Sequence, residues 1–284
     1  DDGPMPWITS SILDTLDRHC TKATFFSVGR MALAYPESTR EILLRGHTLG
    51  THTWSHPLNI ARLRPERAID EIERGFAAVA MAAGRPIAPF FRFPGLSDSG
   101  LLLQHLQARG IASFTVDVVS NDSYIGDPQR LAQATLQRVE SRQGGIVLFH
   151  DIKSATAKAL PVILAELAAR GYRVVHLTAA KPAEPVRTFD AELGPMLAKV
   201  EVTAGGRRPL IPFYGAASTV KPVVVEETPV TRIAAEARTR IANVVGEPVA
   251  PSRQHAALSR RNSSAGAAEG GKRTRRAPRQ PQAE

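Results

Sequence analysis

HTLGTHTWSHP, residues 47–57, joins a short β-like run (47–51) to a pair of histidines, His52 and His56, set four residues apart just beyond it. Upstream, ATFFSV (23–28) is aromatic and β-rich, ends at Gly29 and reads as a buried strand. Between the two runs, residues 36–45 show helical spacing through Ile42 and Leu43 and stop at Gly46. Strand, helix and strand then recur along the chain. Residues 65–83 predict a long helix with Ala68, Ile69, Ile72, Phe76 and Val79 on one face. Strands are predicted at 89–93, 112–119, 145–149 and 172–177, with helices at 101–109, 128–142 and 155–170 between them. Parallel neighbours need crossover helices, so this alternation implies an α/β fold with a parallel sheet or barrel. A doubly wound open sheet remains open on pattern alone.

The opening DDGP, residues 1–4, reads as a turn at the end of a further strand. The expectation is therefore a fragment whose first strand is largely missing, with a frayed terminus, an exposed sheet edge and any signal peptide lying upstream.

Charge is unevenly placed. The net charge is +9, yet residues 1–180 hold 19 Lys/Arg against 17 Asp/Glu, while 181–284 hold 17 against 10. The basic character therefore belongs to the tail and not to the alternating region. Beyond 181 the rhythm fails, leaving a β-like run at 222–230 (PVVVEETPV) and a helix candidate at 231–245. From 250 onward Ser, Arg, Gly and Pro dominate and aromatics vanish, the composition of a disordered segment. The predicted organisation is a domain at 1–180, a poorly defined extension at 181–249 and a disordered basic tail at 250–284. Specific nucleic-acid binding is not expected, because the tail lacks interleaved aromatics. A single cysteine, Cys20, excludes an internal disulfide and any multi-cysteine metal site. No run of about 18 apolar residues suggests a membrane span.

Several side chains that can do chemistry follow strand candidates. Spacing of four predicts that His52 and His56 share one side of a helical turn. Two imidazoles and one carboxylate are a common zinc set that leaves a position for water. Asp1 and Asp2 are adjacent carboxylates that can split roles, one on a metal and one as a base. Arg92 sits among apolar residues in FFRFPG, where a half-buried guanidinium needs a carboxylate partner. Asp122 follows one strand, and His150 ends another in IVLFHD, a position suited to a general acid.

In order, these are DDG, HTWSHP, RFPG, a strand-end Asp and LFH. That series resembles the polysaccharide deacetylases, the NodB-homology domain of carbohydrate esterase family 4, over about residues 1–180. The resemblance implies a distorted (β/α)7 barrel and a metal-dependent hydrolase that removes N-acetyl groups from units such as those of chitin-like oligomers or peptidoglycan. By resemblance, Asp1 is the catalytic base held by Arg92, and Asp2, His52 and His56 bind a divalent metal, most often zinc. Gly95 supplies an oxyanion N–H, Leu148 lines the acetyl pocket, and Asp122 tunes His150, the acid. The series departs from the family twice: Gly95 stands where an aromatic is common, and Ser123 then Tyr124 stand where Trp is common, which bears on the acyl pocket wall. The resemblance further implies an acetylated polysaccharide as partner and an extracytoplasmic location. The basic tail would at most adhere loosely to acidic envelope polymers. Two alternatives stay open: O-deacetylation of a substrate such as xylan, and a non-catalytic carbohydrate- or wall-binding relic.

Overall fold

The computed structural model describes residues 1–203 other than Pro185. Helix α1 (Pro6–Arg18) precedes strand β1 (Thr24–Ser27), and α2 (Gly29–Ala34) and α3 (Pro36–Leu44) lead into β2 (Thr48–Thr51). The long α4 (Pro65–Ala83) precedes β3 (Phe90–Phe91), and α5 (Gly100–Ala108) precedes β4 (Ala112–Ser113). After these come β5 (Val118–Val119), α6 (Pro128–Arg142), β6 (Val147–Leu148), α7 (Ser154–Ala169) and α8 (Asp190–Thr203). Strands run in the order β1-β2-β3-β4 in one parallel sheet, and β5 pairs with β6, also parallel, in a second. Thr24 lies opposite Thr48 and Ser27 opposite Thr51, so β1 and β2 end level with each other.

Helix α4 shows how local signals set an element. Pro65 occupies the first turn, where its missing N–H costs nothing, and Gly84 closes the helix with φ 71° in the left-handed region. Its apolar stripe is buried as its spacing predicts: Ile72 and Val79 are fully covered, and Phe76 packs on Phe91 of β3 with ring centroids 6.4 Å apart. A second, smaller core joins α6, α7 and β5 through Leu131, Leu136, Ile163 and Val118.

The structure differs from the sequence reading at several places, beginning with helix α2, which that reading did not expect. The single strand expected at 112–119 is two short strands in different sheets. Phe114 still donates its N–H to Phe91 O, but Asp117 turns to Ile146, donating its own N–H to Ile146 O (2.9 Å) while its carboxylate accepts the N–H of Ile146 (2.7 Å). The strand expected at 172–177 forms no ladder; Thr48 Oγ1 anchors it through Leu177 O (2.7 Å) and His176 Nε2 (2.8 Å), and Val174 and Val175 are exposed. Helix α1 carries an apolar face through Ile12, Leu13 and Leu16, among Ser and Thr residues that obscure its period. Helix α8 lies where the alternation had lapsed, and Leu193 is fully buried against the main core. The β-like run at 222–230, the helix candidate at 231–245 and the tail at 250–284 lie outside the described residues.

Residues 1–3 bridge the C-terminal ends of the two sheets. Asp1 N donates to Phe149 O (2.8 Å), Asp151 N–H donates to Asp1 O (3.1 Å), and Val28 N–H donates to Gly3 O (3.2 Å). The ends of β1, β2, β3, β5 and β6 therefore meet around Asp1 and Asp2.

Candidate active site

His52 and His56 do converge, though not on a helical turn. Residues 52–57 are irregular, and Thr53 (φ 68°) and His56 (φ 63°) both adopt left-handed backbone, which folds the loop back on itself. A β-branched residue in that region is strained. Thr53 is held there by Gly29 N–H donating to its carbonyl (2.9 Å) and by its own hydroxyl accepting the His56 N–H (3.0 Å). The two imidazole centroids end 4.9 Å apart.

Asp2 completes the cluster. His52 Nε2 lies 3.5 Å and His56 Nε2 3.2 Å from Asp2 Oδ1, and all three donor atoms fall within 4.8 Å of one another. His52 Nδ1 sits 2.6 Å from the carbonyl of Arg92, which requires a hydrogen on Nδ1 and leaves the Nε2 lone pair facing Asp2. Burial lowers the His52 pKa to about 3, so the ring is neutral under working conditions. Asp2 Oδ1 is a buried oxygen with no hydrogen-bond partner among the described residues. A buried carboxylate oxygen left unpaired between two imidazole rings is costly unless a cation fills the gap. The donor set therefore fits a divalent metal.

Next to this cluster, Asp1 is held almost without solvent contact. Its Oδ1 accepts from Arg92 Nη1 at 2.9 Å, while Oδ2 turns toward His52 Nε2, 3.8 Å away. Arg92 stacks on Phe26 at 4.4 Å and donates through Nε to Phe114 O (3.3 Å). Burial brings its guanidinium down to about 10, still charged at neutral pH.

His150 Nδ1 lies 2.6 Å from Asp122 Oδ1. Asp122 Oδ2 accepts from His150 N–H (2.7 Å) and from the Thr156 hydroxyl (2.6 Å). Burial pushes the Asp122 carboxyl up, and these hydrogen bonds pull it further down, below its ordinary value. The carboxylate is thereby ionised, fixes the hydrogen on Nδ1 and leaves Nε2 of His150 outward. Gly95 is exposed with φ 59°, Leu148 is buried at the end of β6, and Tyr124 is 89% exposed.

Three supporting residues escaped the sequence reading. Asp151 accepts the Gly3 N–H (2.9 Å) and the Thr9 hydroxyl (2.7 Å), tying residues 1–3 to the loop that carries His150. Glu71 grips the loop between the two histidines. The one signal for Asp151 was its place directly after His150. Glu71 and Thr9 sit inside helical stretches and carry none.

The sequence profile described as Polysaccharide deacetylase matches residues 1–114. A chitooligosaccharide deacetylase of Bradyrhizobium sp. (strain ANU 289) is 29% identical over 189 residues, covering 61% of this chain and 84% of that protein. A solved peptidoglycan deacetylase of Bdellovibrio bacteriovorus shares 34% identity at a TM-score of 0.59, over 69% of this chain and 54% of that one, so this chain spans about half its length. The catalytic domain of a peptidoglycan N-acetylglucosamine deacetylase from Eubacterium rectale ATCC 33656 shares 30% identity at a TM-score of 0.56, over 65% of this chain and 89% of that one. With the same α/β barrel architecture and with Asp1, Asp2, His52, His56, Arg92, Asp122 and His150 gathered at its strand ends, the chain belongs to the polysaccharide deacetylase family.

Proposed function

We propose that the protein hydrolyses N-acetyl groups on N-acetylglucosamine-type units of an envelope polysaccharide, outside the cytoplasm, with zinc held by Asp2, His52 and His56. The observation that carries this reading is the gathering of Asp2, His52 and His56 within 4.8 Å of one another beside the buried, Arg92-held Asp1, with the Asp122–His150 pair on the loop tied to residues 1–3. A divalent ion supplies Lewis acidity toward water and the acyl oxygen when bound.

The protein's own groups do the rest. Asp1, kept ionised and aimed by Arg92, takes a proton from the attacking water. Gly95 N–H stabilises the oxyanion, a contribution on the order of 3 kcal/mol for one donor. An amine leaves poorly unless protonated, and His150 Nε2–H is the proton source, its ring oriented by Asp122 across 2.6 Å. Leu148 gives the acetyl methyl an apolar wall. Support for an N-acetyl substrate comes from relatives named as chitooligosaccharide and peptidoglycan N-acetylglucosamine deacetylases.

Acetate release from N-acetylglucosamine oligomers and from peptidoglycan, measured before and after chelation, tests this. Activity should vanish with a chelator and return with Zn²⁺, and Asp1→Asn should lower kcat by about 10²–10⁴. Acetate release that survives chelation unchanged rejects the mechanism.

A further inference from the structure

The three residues between the metal-binding histidines all touch helix α4. Glu71, in the middle of α4 and 7% exposed, accepts the Ser55 N–H on Oε2 and the Ser55 hydroxyl on Oε1, both at 2.8 Å. Its backbone carbonyl accepts the Trp54 N–H, also at 2.8 Å. One turn later Gly75 lies so near residue 53 that an added Cβ would stand 2.7 Å from the Thr53 carbonyl carbon. From the opposite side, the Gly29 and Arg30 N–H groups at the start of α2 donate to Thr53 O (2.9 Å) and Trp54 O (3.0 Å). The loop thus has no ladder of its own and is clamped between two helices while carrying strained φ at Thr53 and His56.

A buried carboxylate is costly to place among apolar neighbours such as Ile72 unless its hydrogen bonds do something a neutral residue could not. Here both oxygens go to one residue, Ser55, whose C-terminal neighbour is His56. Rotation of the Ser55 peptide would swing the His56 ring away from Asp2 and His52.

We propose that Glu71 is a positioning residue: its carboxylate, through Ser55, holds His56 in the orientation that gives the Asp2–His52–His56 site its metal affinity. This rests on the reading of those three side chains as a metal site. Groups that orient metal ligands typically change affinity 10–100-fold when removed, and that is the range expected here.

The test uses the whole chain, with Glu71→Gln, Glu71→Ala, Ser55→Ala and the double variant Ser55→Ala/Glu71→Gln. Three readouts are needed: the Zn²⁺ dissociation constant by competition with a chromophoric chelator, the visible absorption of the Co²⁺ form, and the urea midpoint of the metal-free protein. Glu71→Gln should bind Zn²⁺ at least tenfold more weakly, with a shifted Co²⁺ spectrum and little change in metal-free stability. Deacetylation at limiting metal should fall and recover with excess Zn²⁺, leaving KM unchanged. The double variant should be little worse than Glu71→Gln alone, since both act through one contact. If Glu71→Ala fails to fold, Glu71→Gln and Ser55→Ala decide the matter. Wild-type affinity and an unaltered Co²⁺ spectrum in Glu71→Gln would overturn the proposal. A wild-type protein that binds no Zn²⁺ would overturn the metal reading beneath it, a separate and distinguishable result.

Discussion

His47 precedes β2, at the opposite end of that strand from the metal-site loop, and its role is confined to the fold. Its Nδ1 accepts the Ala23 N–H at 3.1 Å, so in the neutral ring the hydrogen sits on Nε2, which is buried with no partner among the described residues. Phe25 meets the ring edge-on at 5.4 Å, and Lys22, Arg45, His176 and Asp17 surround it. Burial first, then the positive charge of Lys22, brings its pKa from 6.5 to about 4. The sign follows directly. Below pH 6.5 the unfolded chain binds a proton that the folded one refuses until about pH 4, so folding stability falls as pH drops through that window. The slope is about 1.4 kcal/mol per pH unit, and the total roughly 3 kcal/mol. His47→Asn retains an acceptor for Ala23 and has no such titration. Denaturant midpoints at pH 7 and pH 5 should show a smaller acid loss in the variant than in the wild type; equal losses would contradict this account of His47.

At the scale of elements, α4 is where two effects compete. Alanine in a helix interior is favoured over glycine by about 1 kcal/mol, so Gly75→Ala ought to stabilise α4 by propensity alone. The new Cβ would however stand 2.7 Å from backbone and 2.9 Å from Thr51 Oγ1. Backbone cannot rotate away as a side chain does, and overpacking of this kind costs about 1–3 kcal/mol. Overpacking wins. Gly75→Ala should lower the urea midpoint and, by pushing residue 53, weaken Zn²⁺ binding as well. A midpoint raised above wild type would show that helix and loop separate at little cost. The same element illustrates what was readable beforehand. Its ends and apolar stripe follow from Pro65, Gly84 and the spacing of Ile72, Phe76 and Val79, whereas the job of Glu71 depends on a loop 16 residues upstream.

Across the whole molecule, the Asp2–His52–His56 cluster joins segments that the chain separates by 50 residues. Asp2 comes from the strip that bridges the two sheets, and His52 and His56 from the end of β2. An ion bound by both segments binds only the folded state. Stability should therefore rise by about 2.7 kcal/mol when Zn²⁺ stands at 100 times its dissociation constant. Calorimetry with and without chelator measures this rise, and His52→Ala should abolish it. An unfolding temperature indifferent to Zn²⁺ in the wild type would mean that the three side chains do not act as one site. Packed structure also runs past the β/α alternation, since α8 buries Leu193 and pairs Glu192 with Arg74 at 2.9 Å.

Most of the side chains that the structure gathers at the strand ends were legible in the sequence, because acids, imidazoles and a buried arginine recur where β-like runs end, and strand ends converge in any parallel α/β fold. The helix and strand order of residues 36–110 and 128–170 was legible too, since apolar period and Gly or Pro punctuation are local properties. Tertiary structure alone decided the rest. Left-handed backbone at Thr53 and His56, the switch of the chain between sheets after Phe114, and the anchoring of residues 1–3 by Asp151 each depend on a partner distant in sequence. A strained loop or a broken strand persists only where such partners outweigh its local cost, and no window of sequence contains both sides of that balance.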